Sequence, residues 1–298
     1  MILAEKTTAD ISRQPGRTWR MSLTLELIFF ALAGAAPTGA YGQLELITNG
    51  EAQGVFAGDA RSISVTLRNP GGQDFAGKIR VQLLQASSAT VVQRGEIPWK
   101  QLRVLPGQTV LESAQLDFPT VKAETRFLVR WLDNTNVIGK TEVLAYPTNL
   151  LAELKRLLGE DTLGVLDPNN ELKPLLQQNG VAFVDLGQGS LEDFSGRLAV
   201  LGPFRSRAQL PEDAAKRSKA MAKNGVAVVW LQPPPSPREP LRPSYYSVAV
   251  GTNAIVVVQS GVVAGLAENP QAQQRLLQLC RQALHPEAAA LPETNNQP

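Results

Sequence analysis

Few side chains in this sequence are suited to chemistry. Among 298 residues there is one Cys, Cys280, and one His, His285. One thiol and one imidazole supply neither a disulfide framework nor a Cys-based zinc site, and leave little scope for imidazole-centred catalysis. Cys280 falls in the apolar stripe Leu276, Leu277, Cys280 and Leu284, so it reads as a packed thiol, not a nucleophile. His285 stands just before Pro286, at a fraying helix end with nothing nucleophilic near it in sequence. Ser190 closes Gly187-Gln-Gly-Ser190, but the following Leu191-Glu192 breaks the Gly-x-Gly-x-x-Gly phosphate fingerprint, leaving a plain loop. Asp167, Glu192 and Asp193 have the chemistry of a hard-cation site or an acid/base pair. Asp167-Pro168 is nevertheless a turn signal, and Glu192-Asp193 a helix start. One group remains. In open parallel sheets ligands bind beyond the carboxyl ends of the strands. That edge is expected to gather Asp167, Ser190, Arg205, Ser206, Arg207 and the loop from Gln232 as a binding site, with no catalytic residue, metal or cofactor. The two Arg are planar donors suited to a carboxylate, a phosphate or sugar hydroxyls.

The elements that would position this group alternate along residues 148–287. Leu150, Leu151, Leu154, Leu157 and Leu158 fall on one helical face behind Thr148 as cap. Strands are expected at Leu163–Leu166, Val181–Leu186, Arg197–Leu201 and Val226–Leu231, with helices at Glu171–Gln178 and from Pro211 to Lys223. Strands apolar on both faces and separated by helices imply a mostly parallel sheet covered on both sides. Pro233-Pro-Pro-Ser-Pro-Arg-Glu-Pro240 can continue neither element and reads as a surface loop. Tyr246–Val250 and Ala254–Val258 form a late hairpin or two further strands, and the last helix starts at Asn269 (cap) and Pro270.

Residues 43–147 read differently. Ile63, Val65 and Leu67 alternate with polar residues, as do Ile79, Val81 and Leu83, and Phe127, Val129 and Trp131. Such period-two segments are half-buried strands. With Leu44–Thr48, Thr109–Phe118, Val137–Tyr146 and the weaker Thr90–Val92 and Leu102–Leu105, the count is seven or eight, which is sandwich arithmetic. Trp131, in phase with Phe127 and Val129, is expected in the core.

The segments "VTLRNPGG…GKIRVQLL", taken as a hairpin, and "LPGQTV" resemble bacterial immunoglobulin-like modules. That resemblance implies a spacer or binding scaffold. The segments "LKPLLQQNGVAFVDL", "RLAVLGPF" and "NPQAQQRLLQLCRQAL" resemble a flavodoxin-like domain of the class I glutamine amidotransferase superfamily, in the degenerate form that accompanies exported carbohydrate-processing enzymes. Active members carry a Cys on a tight strand-to-helix turn, served by a His. Here the corresponding stretch is Gly202-Pro-Phe-Arg-Ser206, without Cys. The expected fold class is therefore two domains, an all-β immunoglobulin-like sandwich (43–147) and a three-layer α/β domain with a mostly parallel sheet (148–287), before a disordered tail, 288–298.

The amino end sets the expected compartment. Lys6, Arg13, Arg17 and Arg20 precede an apolar run from Met21 to Ala36, then small residues through Ala40 and Gly42. This is the order of a secretory signal peptide over 1–42, with Met1 or Met21 as the start, and implies a periplasmic or extracellular protein. The run is shorter than the roughly 20 residues of a membrane span, so no stable span follows cleavage. A formal net charge of +2 argues against nucleic acid as a partner. The reading is a non-catalytic exported binding or scaffold protein, accessory to carbohydrate processing or envelope assembly, with a protein or glycan partner. A hydrolase of glycan or amide substrates through Ser or carboxylates is the alternative. A third is an accessory subunit of an envelope complex that uses the Pro-rich loop as a contact.

Overall fold

The computed structural model describes residues 43–48, 50–87, 90–188, 191–235 and 245–286. The segment expected as a signal peptide, Ser190, most of the Pro-rich stretch and the tail lie outside them.

Eight strands occupy the first half: β1 (Glu45–Ile47), β2 (Gln53–Phe56), β3 (Ala60–Arg68), β4 (Phe75–Ala86), β5 (Val91–Val104), β6 (Thr109–Asp117), β7 (Thr125–Asp133) and β8 (Asn136–Tyr146). They form two sheets, β1-β3-β6 and β2-β8-β7-β4-β5. The alternating apolar positions of both enclose one core, with Ile63, Val65, Leu67 and Leu116 from one sheet and Ile79, Val81, Phe127, Val129 and Val143 from the other. Trp131 lies at its centre, fully buried. Its ring meets Trp99 edge-on at 5.0 Å, and its N–H donates to Thr141 Oγ1 at 2.9 Å.

The second half holds β9 (Leu163–Leu166), β10 (Phe183–Asp185), β11 (Leu198–Leu201), β12 (Ala227–Gln232), β13 (Tyr245–Val250) and β14 (Asn253–Gln259). The helices are α1 (Glu153–Leu158), α2 (Lys173–Gln178), α3 (Ala214–Lys223) and α4 (Pro270–Leu284). The sheet order is β10-β9-β11-β12-β14-β13. On one face, Leu154, Leu276, Leu277 and Cys280 cover Leu163, Val200, Val229 and Val256. On the other, Ala214, Met221 and Ala222 of α3 cover Val228, Trp230, Ile255 and Val257. Asn269 caps α4, its Oδ1 accepting from Gln271 N at 3.0 Å and Ala272 N at 3.3 Å.

Several expectations are corrected. The fold is not a plain all-β sandwich followed by a parallel three-layer domain. In the first half β2 runs parallel to β8, because the chain passes from one sheet to the other after Ile47 without reversing. In the second half β13 runs antiparallel to β14, because the short turn at Gly251 can only reverse the chain. The segments Arg61–Arg68 and Lys78–Leu83 are not a hairpin. β3 pairs with β1 and β6, whereas β4 pairs with β5 and β7, so residues 69–74 carry the chain between sheets. Buried Asn69 holds that crossing, with Nδ2 donating to Gln73 O at 2.7 Å and Val104 O at 2.9 Å. The two weak segments Thr90–Val92 and Leu102–Leu105 belong to one long strand, β5, whose first eight residues are exposed on both faces and so carry no alternation. Thr148 caps nothing: the helical start follows Asn149, as a 3-10 turn over Leu150–Ala152.

The halves share contacts. Tyr146 and Leu144 of β8 pack into the second-half core, and Gln271 Nε2 donates to Ala52 O at 3.0 Å.

Candidate functional site

The chain leaves β9 to make β10 on one side, then returns to make β11 on the other, so the loops after β9 and β11 diverge at the switch point of the sheet. Asp167, directly after β9, is 3% exposed. Its Oδ2 accepts from Leu172 N at 2.7 Å and Lys173 N at 3.0 Å, capping the start of α2, while Oδ1 is buried without a partner. The two loops are tied together across the crevice. Asn169 Nδ2 donates to Pro203 O at 2.7 Å, and Gln209 Nε2 to Asn169 Oδ1 at 2.6 Å. Gln209 Oε1 accepts from Arg205 N at 2.7 Å, and Arg205 Nε donates to Glu171 Oε1 at 2.8 Å. Ser260 Oγ, after β14, donates to Phe204 O at 2.9 Å.

The expected site residues therefore separate. Asp167 is a structural cap. Arg205 is an exposed guanidinium paired with Glu171, and the Ser206 N–H faces Gln209 Oε1 at 3.4 Å, ahead of the 3-10 turn Arg207–Gln209. Ser190 lies outside the described residues. Arg207 belongs to a different place, a cavity of about 360 Å³ between the start of α3 and the carboxyl ends of β12 and β14. Its polar lining is Arg207, Glu212, Gln232 and Gln259, and its apolar wall includes Leu210 and Trp230. The volume lies within the ordinary range of small-molecule sites, about 300–1,000 Å³.

Register explains the wall. Trp230 pairs with Val257 and Gln232 with Gln259 in parallel strands, and positions two apart share a face. Both Gln thus extend the face that carries Trp230 and Val257 against α3, one step past the apolar run. Trp230 is 7% exposed, and its indole N–H has no hydrogen-bond partner. Arg207 and Gln232 were within reach of sequence reasoning; Trp230, Glu212 and Gln259 were missed. The available signal was that two apolar strands, Ala-Val-Val-Trp-Leu-Gln232 and Ala-Ile-Val-Val-Val-Gln259, each end in Gln.

The remaining titratable groups have structural settings. Cys280 is fully buried on α4, and burial pushes its thiol up to about 12. His285 is an exposed helix-end residue, its N–H bonded to Arg281 O at 2.8 Å. Asp185 is held below the usual carboxylate range by the Lys173 ammonium at 2.7 Å and by the Gly187 N–H. Asp193 borders another cleft, with Asp185 and Phe194 beside edge strand β10. Among the described residues no three His, Cys, Asp or Glu side chains come together to hold a metal, and no helix is long and apolar enough to cross a membrane.

No protein-family model matches the chain, and no curated protein matches it. Among solved structures, the chain is similar to an alkylpurine DNA glycosylase from Pseudomonas fluorescens bound to DNA over 36% of its own length and 31% of the glycosylase, at 14% identity and a TM-score of 0.28. It is similar to a β-glucosidase from Listeria innocua bound to gluconolactone over 36% of this chain and 16% of that one, at 15% identity and a TM-score of 0.26. For a β-glucosidase from Bifidobacterium adolescentis the values are 35%, 17%, 12% and 0.26. The chain spans less than a third of each protein, and likenesses this slight carry no argument about its fold or function.

Proposed function

We propose that this is an exported binding or scaffold protein that acts by holding a ligand or partner, without bond-breaking chemistry of its own. One observation carries the reading. At the β9/β11 switch point, where such a sheet would present reactive groups, Asn169, Glu171, Arg205 and Gln209 are joined to the opposing loop. These side chains hold the two loops to each other. The thiol of Cys280, lifted far above neutral and sealed in the core, adds support. The place left for a ligand is the cavity of Arg207, Trp230 and Gln259. Export rests on the order of residues 1–42, and the link to carbohydrate processing or envelope assembly rests on the sequence resemblance alone.

The test is an assay of the full chain, with Ser190→Ala and Asp193→Ala alongside, on chromogenic glycosides and amides. The expected result is no turnover by any of the three. Turnover by the parent chain that disappears in either variant, with circular dichroism unchanged, would replace this reading with a hydrolase.

A further inference from the structure

We propose that the outer face of the strands β8, β7, β4 and β5 docks an acidic segment of a partner protein, whose carboxylates pair with Lys140 and Arg130. This rests on the reading of the chain as a binding or scaffold protein and names the chemistry of what it holds.

The argument starts from alternation. Val129 and Trp131 of β7 are buried in the core between the two sheets, so Arg130 lies on the opposite face. Register sets its neighbours there. Glu96 of β5, Gln82 of β4, Arg130 and Lys140 of β8 form a row across the sheet, each opposite the next. Arg130 and Lys140 are thus a directly opposed cross-strand pair of like charge, which destabilises a sheet. The carboxylates on this face are already engaged. Glu96 accepts from Arg80 at 2.6 Å and from Gln82 at 2.8 Å, and Glu142 from Arg126 at 2.9 Å. Among the described residues neither Arg130 nor Lys140 makes an ion pair or a side-chain hydrogen bond. Lys140 is exposed, so a carboxylate reaches its ammonium from solvent, with half-buried Arg130 on the adjacent strand. Glu51 borders the same cavity as Lys140 and Glu142; with it counted, the four cations named here still outnumber the three carboxylates. Of the charged segments outside the described residues, 1–42 has four basic and three acidic residues and 236–244 two Arg and one Glu, while 287–298, with Glu287 and Glu293, is acidic.

The neighbouring rows favour a protein segment over a phosphate polymer. Half-buried Leu128 lies on one side of the cationic pair, and Val137, 50% exposed, on the other. An extended chain that alternates carboxylates with apolar residues covers both, whereas a nucleic acid leaves them in water.

The experiment titrates the full chain into a fluorescein-labelled peptide of alternating Glu and Val and reads anisotropy at low and high salt. The same peptide with Gln for Glu and a labelled oligothymidylate serve as the other probes. The acidic peptide should bind, the neutral one should bind tenfold or more weakly, and salt should weaken the binding. Lys140→Gln and Arg130→Gln should each weaken it fivefold or more, and Lys140, being exposed, keeps the test open if the Arg130 variant fails to fold. Arg275→Gln, which removes an exposed charge from α4, should change it less than twofold. A second readout needs no peptide: Lys140→Glu should raise the urea midpoint, because an opposite charge then faces Arg130. The proposal is overturned if the neutral peptide binds as well, if Arg275→Gln weakens binding as much as Lys140→Gln, or if Lys140→Glu lowers the midpoint. Tighter binding of the oligothymidylate would overturn it in favour of a nucleic acid. A tenfold gain in affinity on removing residues 287–298 would overturn it by putting the chain's own tail on this face. Absence of binding sinks the docking surface and leaves the non-catalytic reading standing; turnover of glycosides or amides sinks that reading and leaves the surface.

Discussion

Replacing Asp167 separates a capping role from a ligand-binding one. The side chain is buried, and one oxygen does all the bonding, accepting from Leu172 N and Lys173 N. Asp167→Ala removes both bonds. Losing a cap costs about 1 kcal/mol, and stranding the buried Leu172 N–H adds about 1–3 kcal/mol, so the expected loss is about 2–4 kcal/mol. Asp167→Asn keeps an acceptor at the bonded position. Its NH2 then stands where Oδ1 already lacks a partner, so one orphaned group replaces another and a buried charge disappears. That variant should remain within about 1 kcal/mol of the parent. Urea unfolding followed by circular dichroism reads both, as a lower midpoint at unchanged slope. For a unit of this size the Ala variant should also melt roughly 4–16 °C lower. An Asn variant as damaged as the Ala variant would show that the charge itself is required. An Ala variant indistinguishable from the parent would show that the cap contributes nothing.

Further outcomes follow from single contacts. Gly202 has φ +104°, and a Cβ there would lie 2.6 Å from Leu231 O, so Gly202→Ala should lose about 2–4 kcal/mol in urea unfolding by strain and backbone displacement. A Cβ at Gly54 would meet Gln271 Cγ at 2.5 Å, displacing the side chain that donates to Ala52 O. Gly54→Ala and Gln271→Ala should therefore be non-additive in a double-mutant cycle, and simple additivity would refute that link. Tyr146 is raised to about 12 by burial and by the charge of the Glu124 carboxylate, with a smaller part from its hydrogen bond to that group, and Cys280 to about 12 by burial. Both groups deprotonate more readily unfolded, so their share of stability is whole below about pH 9 and is lost as pH rises toward 12. Melting temperature should fall across that window, and Cys280→Ala should flatten the fall; a parent chain insensitive to pH from 9 to 12 would contradict this.

The failures of the sequence reading have physical causes. β2 has only four residues, too few to display a period, and β5 is exposed on both faces over its first eight. Asp167 and Arg205 carried chemistry in their side-chain types, but their partners, α2 and Glu171, were not legible at a turn signal. The Gln232–Gln259 pair was written in two strand endings yet acquired meaning only through register.

By itself the sequence determined the type of most elements and the faces they bury. Alternation marked β3, β4 and β7, and helical spacing with Asn269 as cap marked α4, because each pattern reports the exposure of one element to one core. It also placed the lone thiol on the packed stripe of α4 and the lone imidazole at that helix's end. Tertiary structure decided which strands share a sheet, how the switch-point loops close on each other, and that Trp230 and Gln259 border one cavity. Those outcomes depend on pairings between residues tens of positions apart, and the periodicity of a single segment contains no information about its distant partner.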